Sequence, residues 1–158
     1  MAAYQAENAA VAVRTCEVLK RTCGFGKLTV GSIKAGIGKM RWACRMEEVR
    51  PGVFIDGAHN EDGIAAFVQS LNMLPEKCVL IFSVMKDKQY DKMIELLCGL
   101  SMVTDFVITH IPGERGADLE ELGMIFERYA GGHAQRIYVC EKIEEAVAYG
   151  LAVQKRDG

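Results

Sequence analysis

Asp56-Gly57-Ala58-His59-Asn60 sets an acid, an imidazole and an amide in consecutive positions between an apolar segment and an amphipathic one. That is where an α/β protein usually carries its chemistry, just beyond the carboxyl end of a strand. Asn60 stands where a helix would begin, and free backbone N–H groups at such an end favour an anion by roughly 0.3–1 kcal/mol. A phosphate or a carboxylate could dock there. Two further loops are polar in the same way, Lys86-Asp87-Lys88 and the stretch from His110 to Arg115. Each feature also has a plainer reading. Asp56 serves equally as a turn residue and Asn60 as a cap, His59 alone is an ordinary surface histidine, and Lys86 to Lys88 is a solvated charge cluster.

The elements that must position these residues follow from hydrophobic spacing. Val53-Phe54-Ile55 reads as a buried strand, and Ile64, Phe67, Val68 and Leu71 recur on one helical face behind it. Further strands are expected near Arg45 to Val49, Val79 to Val84, Phe106 to Thr109 and Ile137 to Cys140. The apolar run Val79 to Phe82 does not alternate, which predicts a central strand covered on both faces. Helices are expected near Tyr4 to Thr22, Val30 to Ala35, Asn60 to Met73, Gln89 to Leu100, Leu119 to Tyr129 and Ile143 to Val153. Asp118 followed by Glu121 resembles a capping box. The alternation predicts an α/β fold with a three-layer, mostly parallel, Rossmann-like sheet flanked by helices and preceded by a short helical segment.

Composition narrows the class further. The chain has 158 residues, half of them hydrophobic, and no apolar run long enough to span a bilayer. Six cysteines without a C-x-x-C pair or a zinc-type His/Cys cluster point to reduced thiols in a cytosolic protein. A net charge of −2 and the absence of any basic stripe with interleaved aromatics argue against a nucleic-acid partner. Up to Met40 there are six Lys and Arg against two Glu, and beyond it thirteen against nineteen acids. A junction near Lys39 to Trp42 fits this shift, with Trp42 as its anchor. Gly26-Lys27 and Gly38-Lys39 do not complete a phosphate loop, since Arg21 and Ile33 stand five positions before each glycine and Leu28 and Met40 follow each lysine.

Four stretches together resemble the carboxyl-terminal domain of folylpolyglutamate synthases, in the Mur ligase superfamily. Gln5-Ala6-Glu7-Asn8-Ala9-Ala10-Val11-Ala12 is similar to a Q-x-x-N-A-x-x-A helix that closes the central ATPase domain of that family. Trp42-Ala43-Cys44-Arg45-Met46-Glu47 stands where W-P-G-R-x-E is usual, Asp56 to Asn60 matches D-G-A-H-N, and Lys86-Asp87-Lys88-Gln89-Tyr90 resembles D-K-D-Y. Their order and spacing agree over nearly the whole chain.

The resemblance implies an ATP- and Mg2+-dependent cytoplasmic ligase that adds L-glutamate to the γ-carboxylate of reduced folates through an acyl phosphate. By the same resemblance Asn8, Arg45 and Asp56 contact ATP, and His59 lies toward the incoming glutamate as the catalytic residue. Magnesium ligands and the phosphate loop belong to an ATPase domain outside this chain, which is its expected partner; no nucleic acid or membrane is implied. Residues 1–40 correspond to a helical remnant of that domain, and residues 41–158 to the carboxyl-terminal α/β domain, ending at Asp157-Gly158 before its last strand. A fragment of this kind is expected to be inactive alone. Ala43-Cys44 in place of Pro-Gly puts a non-glycine where close backbone approach or an unusual turn is expected. Glu61 replaces a common proline in a first helical turn, where an acid is favourable. A bifunctional dihydrofolate synthase/folylpolyglutamate synthase, a peptidoglycan-precursor ligase and a non-catalytic binding module of the same fold are the alternatives.

Overall fold

The computed structural model describes residues 3–132 and 134–157, so the end of the chain at Gly158 lies outside the described residues. Two compact units are present, Met1–Ala58 and His59–Gly158.

The first unit holds helices α1 (Ala3–Thr22) and α2 (Val30–Lys39) and strands β1 (Glu47–Arg50) and β2 (Val53–Ile55). Helix α2 runs past the expected end at Ala35 in spite of Gly31 and Gly36. A reciprocal cap secures its start: Ser32 N–H donates to Thr29 Oγ1 at 3.0 Å, and Thr29 N–H donates to Ser32 Oγ at 2.9 Å. Such a box satisfies backbone donors that glycine-rich helices otherwise leave to water. The strands β1 and β2 are antiparallel, paired Glu47 with Ile55 and Glu48 with Phe54, and turn through Pro51-Gly52 with Gly52 at φ +72°. Proline followed by a positive-φ glycine is the preference of a type II turn. This ribbon corrects two expectations. It is separate from the parallel sheet, and Phe54 and Ile55 are 47% and 43% exposed rather than buried. An apolar triplet records a preference for burial, but the partner strand Glu47-Glu48-Val49-Arg50 offers no apolar face to complete it.

The second unit is built on strands β3 (Cys78–Phe82), β4 (Val103–Thr109) and β5 (Arg136–Cys140), all parallel and in the order β3-β4-β5. Helices α3 (Glu61–Leu71), α4 (Tyr90–Cys98), α5 (Leu119–Ala130) and α6 (Ile143–Asp157) surround the sheet. Successive strand residues face opposite sides. Phe82 meets Phe126 of α5 at 5.4 Å between ring centroids, whereas its neighbour Ile81 lies against Gly150 of α6. The two helices therefore cover opposite faces, giving three layers. Phe106, Phe126, Met93, Ile94, Leu97 and Leu122 fill the core beneath α4 and α5 and are at most 1% exposed.

The central strand is β4, not the Val79 to Phe82 run of β3, which lies at an edge with Ile81 39% exposed. An unbroken apolar run signals cover on two faces, and cover on faces does not distinguish an edge from a centre. The true central strand is harder to recognise because Asp105 interrupts its apolar run. That carboxylate is 0% exposed and is held by Arg136 of β5, Thr104 and Tyr149 of α6.

Gly116 marks a close approach between the loops at the carboxyl end of the sheet. A Cβ there would lie 2.6 Å from the Ile111 carbonyl oxygen, and backbone cannot yield as a flexible side chain can. Gly116→Ala is therefore expected to destabilise the second unit by about 1–3 kcal/mol, read as a lower urea midpoint with an unchanged slope.

Candidate active site

Four residues flagged by the sequence divide between the two units: Asn8, Arg45 and Asp56 belong to the first, and His59 opens the second. Within the first unit, Asp56 is the centre of a built arrangement. Its Oδ2 accepts the Tyr4 hydroxyl at 2.6 Å and the Met46 N–H at 2.9 Å, and its Oδ1 accepts the Ala58 N–H at 2.8 Å. Three of about four lone-pair positions on the carboxylate are thereby used. Among the described residues one acceptor position is left for a ligand donor.

The turn from Cys44 to Met46 is bound to α1 and to the residues after β2. Gln5 Nε2 donates to the Arg45 carbonyl at 3.0 Å, Cys44 N–H donates to Glu47 Oε2 at 2.9 Å, and Gly57 N–H donates to the Cys44 carbonyl at 2.8 Å. Gly57 is a tight fit, since a Cβ on it would stand 3.3 Å from that same carbonyl oxygen. Arg45 is half-buried, and its guanidinium makes no ion pair among the described residues. Asn8 is exposed and follows Tyr4 by four residues and Gln5 by three, which places all three on one side of α1.

Cys44 adopts φ +56° and Met46 φ +46°, both in the left-handed region. The unusual turn expected where Pro-Gly is replaced is thus present, without the glycine. Because a side chain there costs roughly 1–2 kcal/mol and glycine returns about half of that as chain entropy, Cys44→Gly is expected to stabilise the first unit by about 0.5–1 kcal/mol. Denaturant titration of Cys44→Gly beside the unsubstituted protein would show it.

In the second unit, His59 is exposed and Asn60 caps α3, with its Oδ1 accepting the Gly63 N–H at 2.8 Å. The two other polar loops do converge. A cleft of about 630 Å3 opens at the carboxyl ends of all three parallel strands, with Lys86 following β3, His110 following β4 and Glu141 following β5. Lys86 N–H donates to the Arg115 carbonyl at 3.0 Å, and Ala117 N–H to the Val84 carbonyl at 3.0 Å, which ties the second loop to the third. Arg115 itself turns toward Met85 Sδ, 3.3 Å away. Asp118 caps α5 by accepting the Glu121 N–H at 2.9 Å, as the capping pattern predicts. Burial, then the neighbouring Glu121 carboxylate, raise the Tyr90 pKa.

Sequence reasoning missed Tyr4, which enters it only as the start of a helix. Its spacing from Gln5 and Asn8 was the available signal, but tyrosine at a helix start more often packs than positions.

The chain matches the family of the Mur ligase glutamate ligase domain over residues 41–158. The dihydrofolate synthase/folylpolyglutamate synthase of Mycobacterium tuberculosis is 30% identical over 149 residues, covering 91% of this chain and 30% of that protein. The enzyme of the same description from Bacillus subtilis is 28% identical over 113 residues, covering 69% of this chain and 26% of that one. The solved Mycobacterium tuberculosis folylpolyglutamate synthase complexed with ADP superposes with a TM-score of 0.74 at 26% identity, over 82% of this chain and 29% of that one. Helicobacter pylori folylpolyglutamate synthetase, at 21% identity and a TM-score of 0.57, shares the fold. The chain spans less than a third of the length of these two curated relatives. With three-quarters of its residues matched to one family and the three-layer fold of the same relatives, the chain belongs to the Mur ligase family, as its glutamate ligase domain.

Proposed function

We propose that this chain is part of an ATP-dependent ligase that adds L-glutamate to the γ-carboxylate of a reduced folate through an acyl phosphate. The supporting observation is the built turn around Arg45 and Asp56, in a chain similar to a folylpolyglutamate synthase solved with ADP. Among the described residues Asp56 keeps one acceptor position open and Arg45 makes no ion pair, and Asn8 is exposed on the helix that braces both. These groups fit a nucleotide, which offers hydroxyl donors to the carboxylate and phosphoryl oxygens to the arginine. ATP, when bound, supplies the phosphoryl group that activates the γ-carboxylate. Arg45 neutralises charge as it develops on the transferring group, which is electrostatic catalysis rather than proton transfer. His59 faces the incoming glutamate.

Among the described residues no group of three His, Cys, Asp or Glu could hold a metal. This reading assigns the magnesium ligands to another part of the parent protein, as it does the phosphate loop that this sequence lacks. Residues 1–40 form the end of that ATPase domain in this reading, and residues 41–158 the carboxyl-terminal domain. No described helix is long and apolar enough to cross a membrane. Both curated relatives carry a dihydrofolate synthase description as well, so a bifunctional enzyme is the second reading.

Labelled glutamate offered with a reduced folate, and separately with dihydropteroate, tests the proposal on the full-length parent and on this polypeptide alone. ATP-dependent incorporation by the parent and none by this polypeptide are expected. Incorporation on both acceptors marks the bifunctional enzyme. Turnover by this polypeptide alone contradicts the division of labour, and silence from the parent on both acceptors turns the reading toward a binding module.

A further inference from the structure

Arg45 stands between two strained residues, and something outside the turn must hold it there. Non-glycine residues in the left-handed region relax when their supports are removed. Glu47 and Gly57 hold Cys44, and two further supports reach Arg45 and Met46. Gln5 grips the Arg45 carbonyl, while Met46 N–H is gripped by Asp56 Oδ2, the same oxygen that takes the Tyr4 hydroxyl at 2.6 Å. The other Asp56 oxygen is committed to Ala58. Tyr4 is thus the direct bond between Asp56 and α1, and Gln5 the matching bond between α1 and Arg45.

We propose that Tyr4 is a positioning residue: its hydroxyl fixes Asp56 and, through the Met46 amide, the aim of Arg45, with Gln5 as the second strut on the same helix. The proposal rests on the nucleotide-site reading of Arg45 and Asp56 above. Burial, the hydrogen bond to Asp56 and the charge of that carboxylate all raise the Tyr4 pKa, and the Arg45 charge opposes them only in part. The hydroxyl consequently stays protonated, and donating, at every pH at which an enzyme of this kind works. Tyr4 and Gln5 are consecutive, so a single helical turn holds both polar groups of the Arg45–Met46 peptide unit at once, Gln5 on its carbonyl and Tyr4, through Asp56, on its N–H.

Tyr4→Phe in the full-length parent keeps the ring and removes the bond. Amide hydrogen exchange at Met46 and Ala58 and steady-state glutamate addition are measured on the same preparation. A lost hydrogen bond to a charged group corresponds to about tenfold, so exchange at both amides is expected to quicken about tenfold. Over the same change kcat falls about tenfold, with the KM for glutamate unchanged and the pH profile unshifted. Exchange that does not change overturns the proposal, and so does faster exchange with kcat intact. If the unsubstituted parent adds no glutamate, the ligase reading has failed by itself, and ADP titration then decides the role of Tyr4. Tighter binding of ADP by the unsubstituted protein than by Tyr4→Phe supports it, and equal binding overturns it.

Discussion

Asp105→Ala is expected to destabilise the second unit by about 3 kcal/mol. The carboxylate is 0% exposed in the middle layer. Arg136 grips it with both arms of its guanidinium, Nε to Oδ1 at 2.8 Å and Nη2 to Oδ2 at 2.9 Å. Thr104 Oγ1 donates at 2.6 Å and the Tyr149 hydroxyl at 3.0 Å. Hydrogen bonds to charged groups contribute roughly 1.5–3 kcal/mol each, and removing the acceptor takes the partner from Arg136 and Tyr149 and leaves Thr104 only a long bond to the Cys78 carbonyl, at 3.4 Å. Tyr149 also stacks on Tyr138 at 4.4 Å between centroids, so the loss reaches the seat of α6 on β5.

The same network has a signature in pH. Burial pushes the Asp105 pKa up, but the bonds from Arg136, Thr104 and Tyr149 together outweigh it and hold the carboxyl below the usual carboxylate range. A group depressed in the folded state adds stability at pH above its unfolded value, about 3.9, and that stability disappears as pH falls through the folded value. Asp105→Asn keeps the shape and removes the titration. Its stability deficit should be full at neutral pH and shrink below about pH 4. A deficit that is constant with pH would sink the assignment.

Arg45→Ala in the full-length parent is expected to lower kcat by roughly 10²–10³, the range measured when a preorganised donor to developing charge is removed. KM for glutamate should stay close to its original value, because the lost interaction forms in the transition state and not with the amino acid. Arg45→Lys restores only part of the rate. A lysine supplies a point charge on a flexible stem, whereas the arginine fork matches two phosphoryl oxygens at once. Activity within twofold of the unsubstituted enzyme in Arg45→Ala would remove Arg45 from the site.

Much of this was readable before any coordinates. Helices and strands fall close to where periodicity places them, because Ile64, Phe67, Val68 and Leu71 on α3 and the apolar heart of β3 obey simple repeats. The D-G-A-H-N turn, the α1 motif and the cleft-forming loops were legible as well, since each depends on residues adjacent in sequence. What escaped depends on distant partners. The burial of Asp105 is made possible by Arg136 and Tyr149, 31 and 44 residues away, and Tyr4 reaches Asp56 across 52 residues. A charge in the central strand looks like a break in that strand until its partners are known. The rank of strands across a sheet has a similar cause, for β3 and β4 differ in their neighbours more than in their apolar content.

The order of the strands in the second unit, β3-β4-β5, is also their order along the chain. Twenty residues separate β3 from β4 and twenty-six separate β4 from β5, and the closure entropies of two such crossovers differ by only about 0.2 kcal/mol. No strand has to wait for a later one to be inserted between it and its neighbour. During synthesis the sheet can grow outward one βα unit at a time, and the charged network around Asp105, completed only when Tyr149 emerges, becomes the last lock to close.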